Sequence, residues 1–392
     1  MSASGAVIGD ASALEHLVDE LRSVGRFAID LEFVSESRYV PELCLVQVGW
    51  GEVEDPRVAA VDPLAVDVGS LAQLVADPAV EKVLHAGQAD LALLGQRFAV
   101  RGRNVFDTQI AAAFVGVGDQ IGYGPLVGRL LDLELDKGAQ FTHWDRRPLA
   151  AEQLRYALDD VRYLPRLHRE LVRRLEGRQR LAWVAEESKR LAETAATRPA
   201  PGDRFLKVKG WDRLRPPALG ALRALAAWRE EQALERNTPP QWILQDRVLL
   251  EIARRLPKST RDLGAMRGIK DGLVRRHGSA LVEILQSGAG NPPSLPKRPK
   301  PLSDRGKVWS AMASAIVQAL ARKAGVAPRF LAARDDLESL VRWYLSGNDV
   351  EPEIPLLQGW RRELAGAAVC DWLAGGSAII ASEQGIELVS RR

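Results

Sequence analysis

Strand-forming runs crowd into the first 170 residues of this 392-residue chain and nearly cease after residue 190. RFAIDLEFV (26–34) and LCLVQVGW (43–50) are dense in β-branched, aromatic and aliphatic residues. The intervening SESRYVPE carries turn formers and a proline, so the two runs are expected to pair as a hairpin. VAAVDP (58–63) and KVLHA (82–86) read as further short buried strands, and SLAQLVA (70–76), ADLALLGQRF (89–98) and DTQIAAAFV (107–115) as helices. A longer helical pattern covers 151–176, and Pro165 inside it should kink or split it. A hairpin followed by strands alternating with helices describes an α/β domain built on a mixed sheet.

Past residue 190 the period is helical. TAATRPAPGD (194–203) has the composition of a linker, and GAGNPPSLPKRPKPLS (288–303) that of a Pro-rich basic one. Pro217, Pro240 and Ser259 are helix-start signals, and Gly268 and Gly288 stop signals. The expected division is an α/β domain over 1–195, a linker over 196–210, a helical domain over 211–288, a second linker over 289–303 and a second helical domain over 304–392. The boundary at TAATRPAPGD further implies that a chain ending near residue 195 folds alone. Eight of the ten tryptophans lie beyond residue 180, and at helical spacing they read as core residues rather than stacking platforms.

Charge divides along the same line. Residues 1–170 hold 16 basic and 26 acidic side chains, whereas 254–323 holds 15 basic against 4 acidic, inside a chain of net charge +3. A carboxylate-rich site followed by a polyanion-binding module fits this asymmetry, as does a solvated basic face on a helical domain. No apolar run approaches the ~18–20 residues of a membrane span, and the acidic start MSASGAVIGDASALEHLVDE lacks the pattern of a secretory signal. Two cysteines, Cys44 and Cys370, and scattered single histidines offer neither a disulfide framework nor a zinc site, so a reducing cytoplasm is expected.

Asp30 and Glu32 stand two apart in a strand pattern, so both carboxylates project from one face of an otherwise apolar segment. Like charges held together among Phe27, Ile29, Leu31 and Phe33 need a cation, and hard oxygen ligands on a stiff element suit Mg²⁺ or Mn²⁺. The pair taken alone also reads as an exposed acidic strand face. Tyr156 and Asp160 lie one helical turn apart, placing a phenol beside a carboxylate, where it can act on a water as a weak base or as a hydrogen-bond orienter. Asp90 follows a buried strand, Asp107 has the position of a helix N-cap, and Asp159 reads as solvent-facing.

The order DLE, HAGQAD, FDTQIAA and LRYALDDVRYL resembles the three exonuclease motifs of the DEDD superfamily, in its tyrosine-bearing subgroup, and within it the ribonuclease D family. VSESRYVPELCLVQVG after DLE, with its LVQ at 45–47, and LDKGAQFTHWDRRPL before the third motif match that family in order and spacing. The likeness spans essentially the whole chain. PPALGALRALAAWREEQALERNTPPQWILQDRVLLEIARRLP is similar to the HRDC helical module, and 304–390 resembles its second, more divergent copy.

This resemblance implies an α/β ribonuclease H-like exonuclease domain with a mixed sheet, followed by two all-α HRDC-like domains. It implies Asp30, Glu32, Asp90 and Asp160 as metal ligands and catalytic residues, with Tyr156 orienting water, around two divalent ions, Mg²⁺ or Mn²⁺. The expected reaction is hydrolysis from a free RNA 3′ end, releasing nucleoside 5′-monophosphates. The expected substrates are transfer RNA precursors and other small structured RNAs with single-stranded tails. No membrane and no obligate protein partner is implied. Two departures stand out: His143 occupies the place of an Asp found in many relatives, and His85-Ala86-Gly87 precedes the second motif, where relatives outside this subgroup often carry Asn. His85 reads as a packed residue rather than a ligand of a hard metal. The competing readings are a DNA 3′→5′ exonuclease of the same superfamily and a non-catalytic RNA-binding scaffold. A small-molecule phosphatase would leave the helical blocks unexplained.

Overall fold

The computed structural model describes residues 7–135, 143–197, 200–295, 299–383 and 385–391; most of the LDKGAQFTHW stretch, 136–142, lies outside them. The front domain runs β1 (Val7–Ile8), α1 (Ala11–Val24), β2 (Arg26–Val34), β3 (Glu42–Trp50), β4 (Arg57–Val61), α2 (Gly69–Ala76), β5 (Glu81–Leu84), α3 (Gln88–Phe98), β6 (Val105–Asp107), α4 (Thr108–Phe114), α5 (Tyr123–Leu131), α6 (Ala151–Arg162), α7 (Leu164–Glu176) and α8 (Leu181–Ala196). Its sheet has the order β1-β4-β3-β2-β5-β6. β2–β3 and β3–β4 are antiparallel, whereas β1–β4, β2–β5 and β5–β6 are parallel, so the sheet is mixed. The strand face bearing Phe27, Ile29 and Leu31 packs on α1 and α2, and the opposite face carries the chemistry. Pro165 sits in the first turn of α7, and the long helical pattern splits just ahead of it, between α6 and α7.

The first helical block comprises α9 (Pro216–Glu235), α10 (Pro240–Ile243), α11 (Asp246–Arg255), α12 (Thr260–Gly264) and α13 (Asp271–Gly290). One linker reading and one stop signal differ from the structure here. Residues 201–213 form short 3₁₀ turns whose Phe205 and Val208 lie in this block's core, because two apolar side chains three apart insert where Pro and Gly suggested a spacer. Gly288 does not stop α13, which continues to Gly290. A Cβ at Gly288 would lie 2.7 Å from the Gly220 carbonyl, so the glycine serves the close approach of α9 and α13.

The second block holds α14 (Asp304–Ala324), α15 (Arg334–Ser346), α16 (Gly359–Arg361), a π turn over Arg362–Gly366 and α17 (Ala367–Leu373). It closes with an antiparallel hairpin, β7 (Ser377–Ser382) and β8 (Gly385–Ser390), which the all-helical reading did not include. Alternating Ile and Leu in IELVS suit a strand, and the pattern is too short to register against the helices before it.

Both blocks fasten onto the front domain. Asn237 Oδ1 accepts from the backbone N–H of Tyr39 and Val40 at 3.1 and 3.0 Å, and the Tyr39 hydroxyl donates to Glu230 at 2.5 Å. The second block does more, because it shares one core with α4, α7 and α8. Phe114 meets Phe330 and Trp360 with ring centroids 4.8 and 5.3 Å apart, and Trp183 stacks on Trp360 at 4.6 Å. Buried Arg361 pairs with Glu186 at 2.7 Å and with buried Glu187. The expectation of a front domain with few contacts crossing its boundary is therefore overturned. Most tryptophans pack as expected, but Trp242 is 63 % exposed. No helix among the described residues is long and apolar enough to cross a membrane.

Candidate active site

β2 delivers Asp30 and Glu32 to one face because alternate strand residues share a side, while Ile29 and Leu31 are buried on the other. α6 lies across that face. Its close approach is possible because β3 has glycine at position 49, where a Cβ would fall 2.8 Å from the Val161 carbonyl, one residue beyond Asp160. As a result Asp30, Glu32 and Asp160 present carboxylate oxygens within 4.8 Å of one another, all three half-buried.

Asp90 is placed differently. It occupies the first turn of α3, 9 % exposed, outside this tight group but close enough that the Asp30 charge acts on it. The turn before it is braced by Asp107, which caps α4 by accepting from Gln109 and Ile110 N–H and also accepts from Gly87 N–H at 3.0 Å. His85 uses both ring nitrogens, Nδ1 with Thr108 Oγ1 at 2.9 Å and Nε2 with the Ile121 carbonyl at 3.1 Å, and so is a packed residue. Asp159 is not simply solvent-facing: it is half-buried and pairs with Arg162 at 2.8 Å. His143 is exposed.

Burial raises the carboxyl pKa of Asp30 to about 7. Burial, followed by the charges of Asp30, Asp160 and Asp90, raises Glu32 to about 9. Burial and then Asp30 raise Asp160 to about 8, although a hydrogen bond from Tyr156 opposes the shift, and Asp90 moves well upward for the same two leading reasons. The Tyr156 phenol is itself pushed up by burial and then by Asp160, so it stays protonated near neutrality and donates to Asp160. Oxygen-only donors crowded with like charge and partly desolvated fit a hard divalent cation.

A pH dependence follows. These acids have their pKa raised on folding, so their contribution to stability is full below the unfolded-state values of 3.8 to 4.5 and is lost as pH rises through about 7 to about 9. The metal-free chain should melt at progressively lower temperature from about pH 5 to about pH 9, and Mn²⁺ should bind with proton release and with affinity that rises over the same range. Thermal melts and titrations at several pH values check both signs.

Sequence reasoning overlooked three supports. The Tyr123 hydroxyl donates to the Asp159 carbonyl at 2.9 Å and accepts from Tyr163 N–H, fixing the end of α6. Trp144, 3 % exposed, packs its ring beside Tyr156 at 6.3 Å. Arg147 makes a two-point pair with Asp62 at 2.6 and 2.7 Å and donates to the Cys44 carbonyl, tying the WDRRPL segment to the sheet. The last two left a sequence signal, since Trp144 and Arg147 both lie in a stretch already matched to the family motif; Tyr123 left none.

Comparison with known proteins agrees with this architecture. Residues 6–176 match the family model for a 3′-5′ exonuclease, and 218–285 that for the HRDC domain. Ribonuclease D of Granulibacter bethesdensis is 38% identical over 375 residues, spanning 93% of this chain and 91% of that protein. Ribonuclease D of Pseudomonas paraeruginosa is 38% identical over 372 residues, spanning 93% and 96%. The crystal structure of Escherichia coli RNase D, described as an exoribonuclease involved in structured RNA processing, superposes with a TM-score of 0.81 at 28% identity, covering 96% of this chain and 99% of that one. An exonuclease domain with its acidic cluster, an HRDC domain behind it and this end-to-end similarity lead to one conclusion: the chain belongs to the ribonuclease D family.

Proposed function

We propose that this protein trims 3′ tails of small structured RNAs, transfer RNA precursors among them, releasing nucleoside 5′-monophosphates by metal-dependent hydrolysis at a site that takes two divalent ions. The observation that carries the reading is the meeting of Asp30, Glu32 and Asp160 oxygens within 4.8 Å, with the Tyr156 phenol hydrogen-bonded to Asp160. Asp30, Glu32 and Asp160, with Asp90 beside Asp30, would hold the ions. Divalent ions bound there supply Lewis-acid activation of a water and neutralise charge developing on the phosphate. Tyr156 holds its proton on the phenol oxygen and fixes the Asp160 carboxylate, and Trp144 restrains the phenol ring. Digestion of an end-labelled RNA with an unpaired 3′ tail, with and without Mg²⁺, tests the reading. A ladder shortening by single nucleotides from the 3′ end is expected; internal cuts, or equal loss without metal, would sink it. The same tail made of DNA should be cut more slowly, because a deoxy strand offers no 2′-OH to contact.

The basic rear half would hold the body of the RNA through phosphates. Lys258, Arg267, Lys270 and Arg275 are exposed on the first helical block. Replacing all four by Gln should weaken binding of a transfer-RNA-sized ligand. It should also flatten the plot of log affinity against log salt, by about 0.7 for each single-strand phosphate that is no longer neutralised. Binding isotherms at three salt concentrations measure it, and an unchanged slope removes these residues from the RNA path.

A further inference from the structure

The LVQ motif at 45–47 is left over once the site has been assembled. In the β2–β3 ladder Gln47 is the direct partner of Asp30. Directly opposed residues of an antiparallel pair put their side chains on the same face, with Cβ atoms about 4.5–5.5 Å apart. Gln47 therefore shares the face that bears Asp30 and Glu32, the same face on which Gly49 meets the backbone of Val161. It is 0 % exposed, and neither its Oε1 nor its Nε2 has a hydrogen-bond partner among the described residues. Its neighbours Leu43, Cys44, Leu45, Val46 and Val48 are all buried and apolar. An unpartnered carboxamide in such a strand is less stable there than a Met of the same length, so packing does not account for it.

We infer that Gln47 is a positioning residue of the cation site: when a cation is bound, its Nε2 turns to donate to one oxygen of the ionised Asp30 carboxylate and leaves the other oxygen free to serve as ligand. This rests on the reading of Asp30, Glu32 and Asp160 as the cation-holding group. A donor on the far oxygen fixes the carboxylate rotamer and strengthens it as a ligand, and removal of such supports costs about 10–100-fold in metal affinity. The chemistry of the pair is a charge-assisted hydrogen bond from a neutral amide.

The test is Gln47→Met in the full chain, titrated with Mn²⁺ by calorimetry in the absence of RNA, alongside metal-free thermal melts. The expected result has two parts. The Kd for Mn²⁺ rises about 10–100-fold, and the metal-free melting temperature stays level or rises. Activity at limiting Mn²⁺ falls and recovers at saturating Mn²⁺. A purely structural role predicts a change in melting temperature with unaltered Mn²⁺ affinity, and a folded variant whose Kd lies within a factor of about two of the parent overturns the inference. If Gln47→Met does not fold, Gln47→Asn, which keeps the amide but withdraws it by one methylene, is held to the same criterion. A parent chain that itself fails to bind Mn²⁺ overturns the cation-site reading instead, and this inference with it.

Discussion

Asp30→Asn and Asp160→Asn should each lower turnover by at least ~10²-fold while leaving the fold intact, since on the proposed reading each loses a ligand oxygen rather than an ordinary contact. The metal-free variants should melt at higher temperature than the parent. Asn keeps the shape of Asp but removes one charge from a partly buried set in which Asp30 acts on Glu32, Asp90 and Asp160. The opposite signs of the two effects are diagnostic. A residue important only for folding would lose activity and stability together. Tyr156→Phe belongs to a different class: the phenol is only half-buried, so water can take over its hydrogen bond to Asp160, unlike that of a fully buried donor such as Gln47. Turnover should fall while Mn²⁺ affinity changes by no more than a few-fold. Activity like the parent's in either Asp variant would refute the assignment of the site.

How much of this site can be read from the sequence depends on how local each signal is. Asp30 and Glu32 are legible because strand alternation alone puts them on one face, and Tyr156 and Asp160 because one helical turn does the same. Their meeting across β2 and α6 is not local, and no period predicts it; here the family resemblance supplies what spacing cannot. Gly49 shows why. The residue that lets α6 approach the sheet reads in the sequence as a weak point in a strand. Likewise Arg147 and Asp62, 85 residues apart, become a pair only through the fold. The boundary at residue 196 misleads for the opposite reason. Composition marks Pro and Gly strongly and gives no hint that Phe205 and Val208 reach a core.

The greatest expected loss of stability comes from separating the second helical block. A chain ending near residue 195, or one ending near residue 303, removes Phe330, Trp360 and Arg361 from Phe114, Trp183, Glu186 and Glu187. Phe114 is 0 % exposed in the whole chain and would face water in the fragment. Deleting one buried Phe or Trp side chain costs about 3–5 kcal/mol, so losing Phe330 and Trp360 alone costs about 6–10 kcal/mol, as much as the 5–15 kcal/mol that holds a typical domain folded, before the Arg361 pairs are counted. Both truncations should therefore be insoluble or lack a cooperative melt. The point variant Trp360→Ala is milder and should cost about 3–5 kcal/mol in denaturant unfolding of the full chain. Asn237→Ala removes part of the first block's clasp instead and leaves the Tyr39–Glu230 hydrogen bond in place. That part is two partly solvated hydrogen bonds from Tyr39 and Val40, and its loss should cost only about 1 kcal/mol. The ranking Trp360→Ala well above Asn237→Ala follows from a shared apolar core on one side and a polar contact on the other. A soluble fragment ending near residue 195 that melts like the full chain would contradict it. The same physics decides how RNA binding by the rear half must be measured. Truncation removes the second block's support of the nuclease domain along with its charge, so only surface-charge variants in the intact chain separate the two.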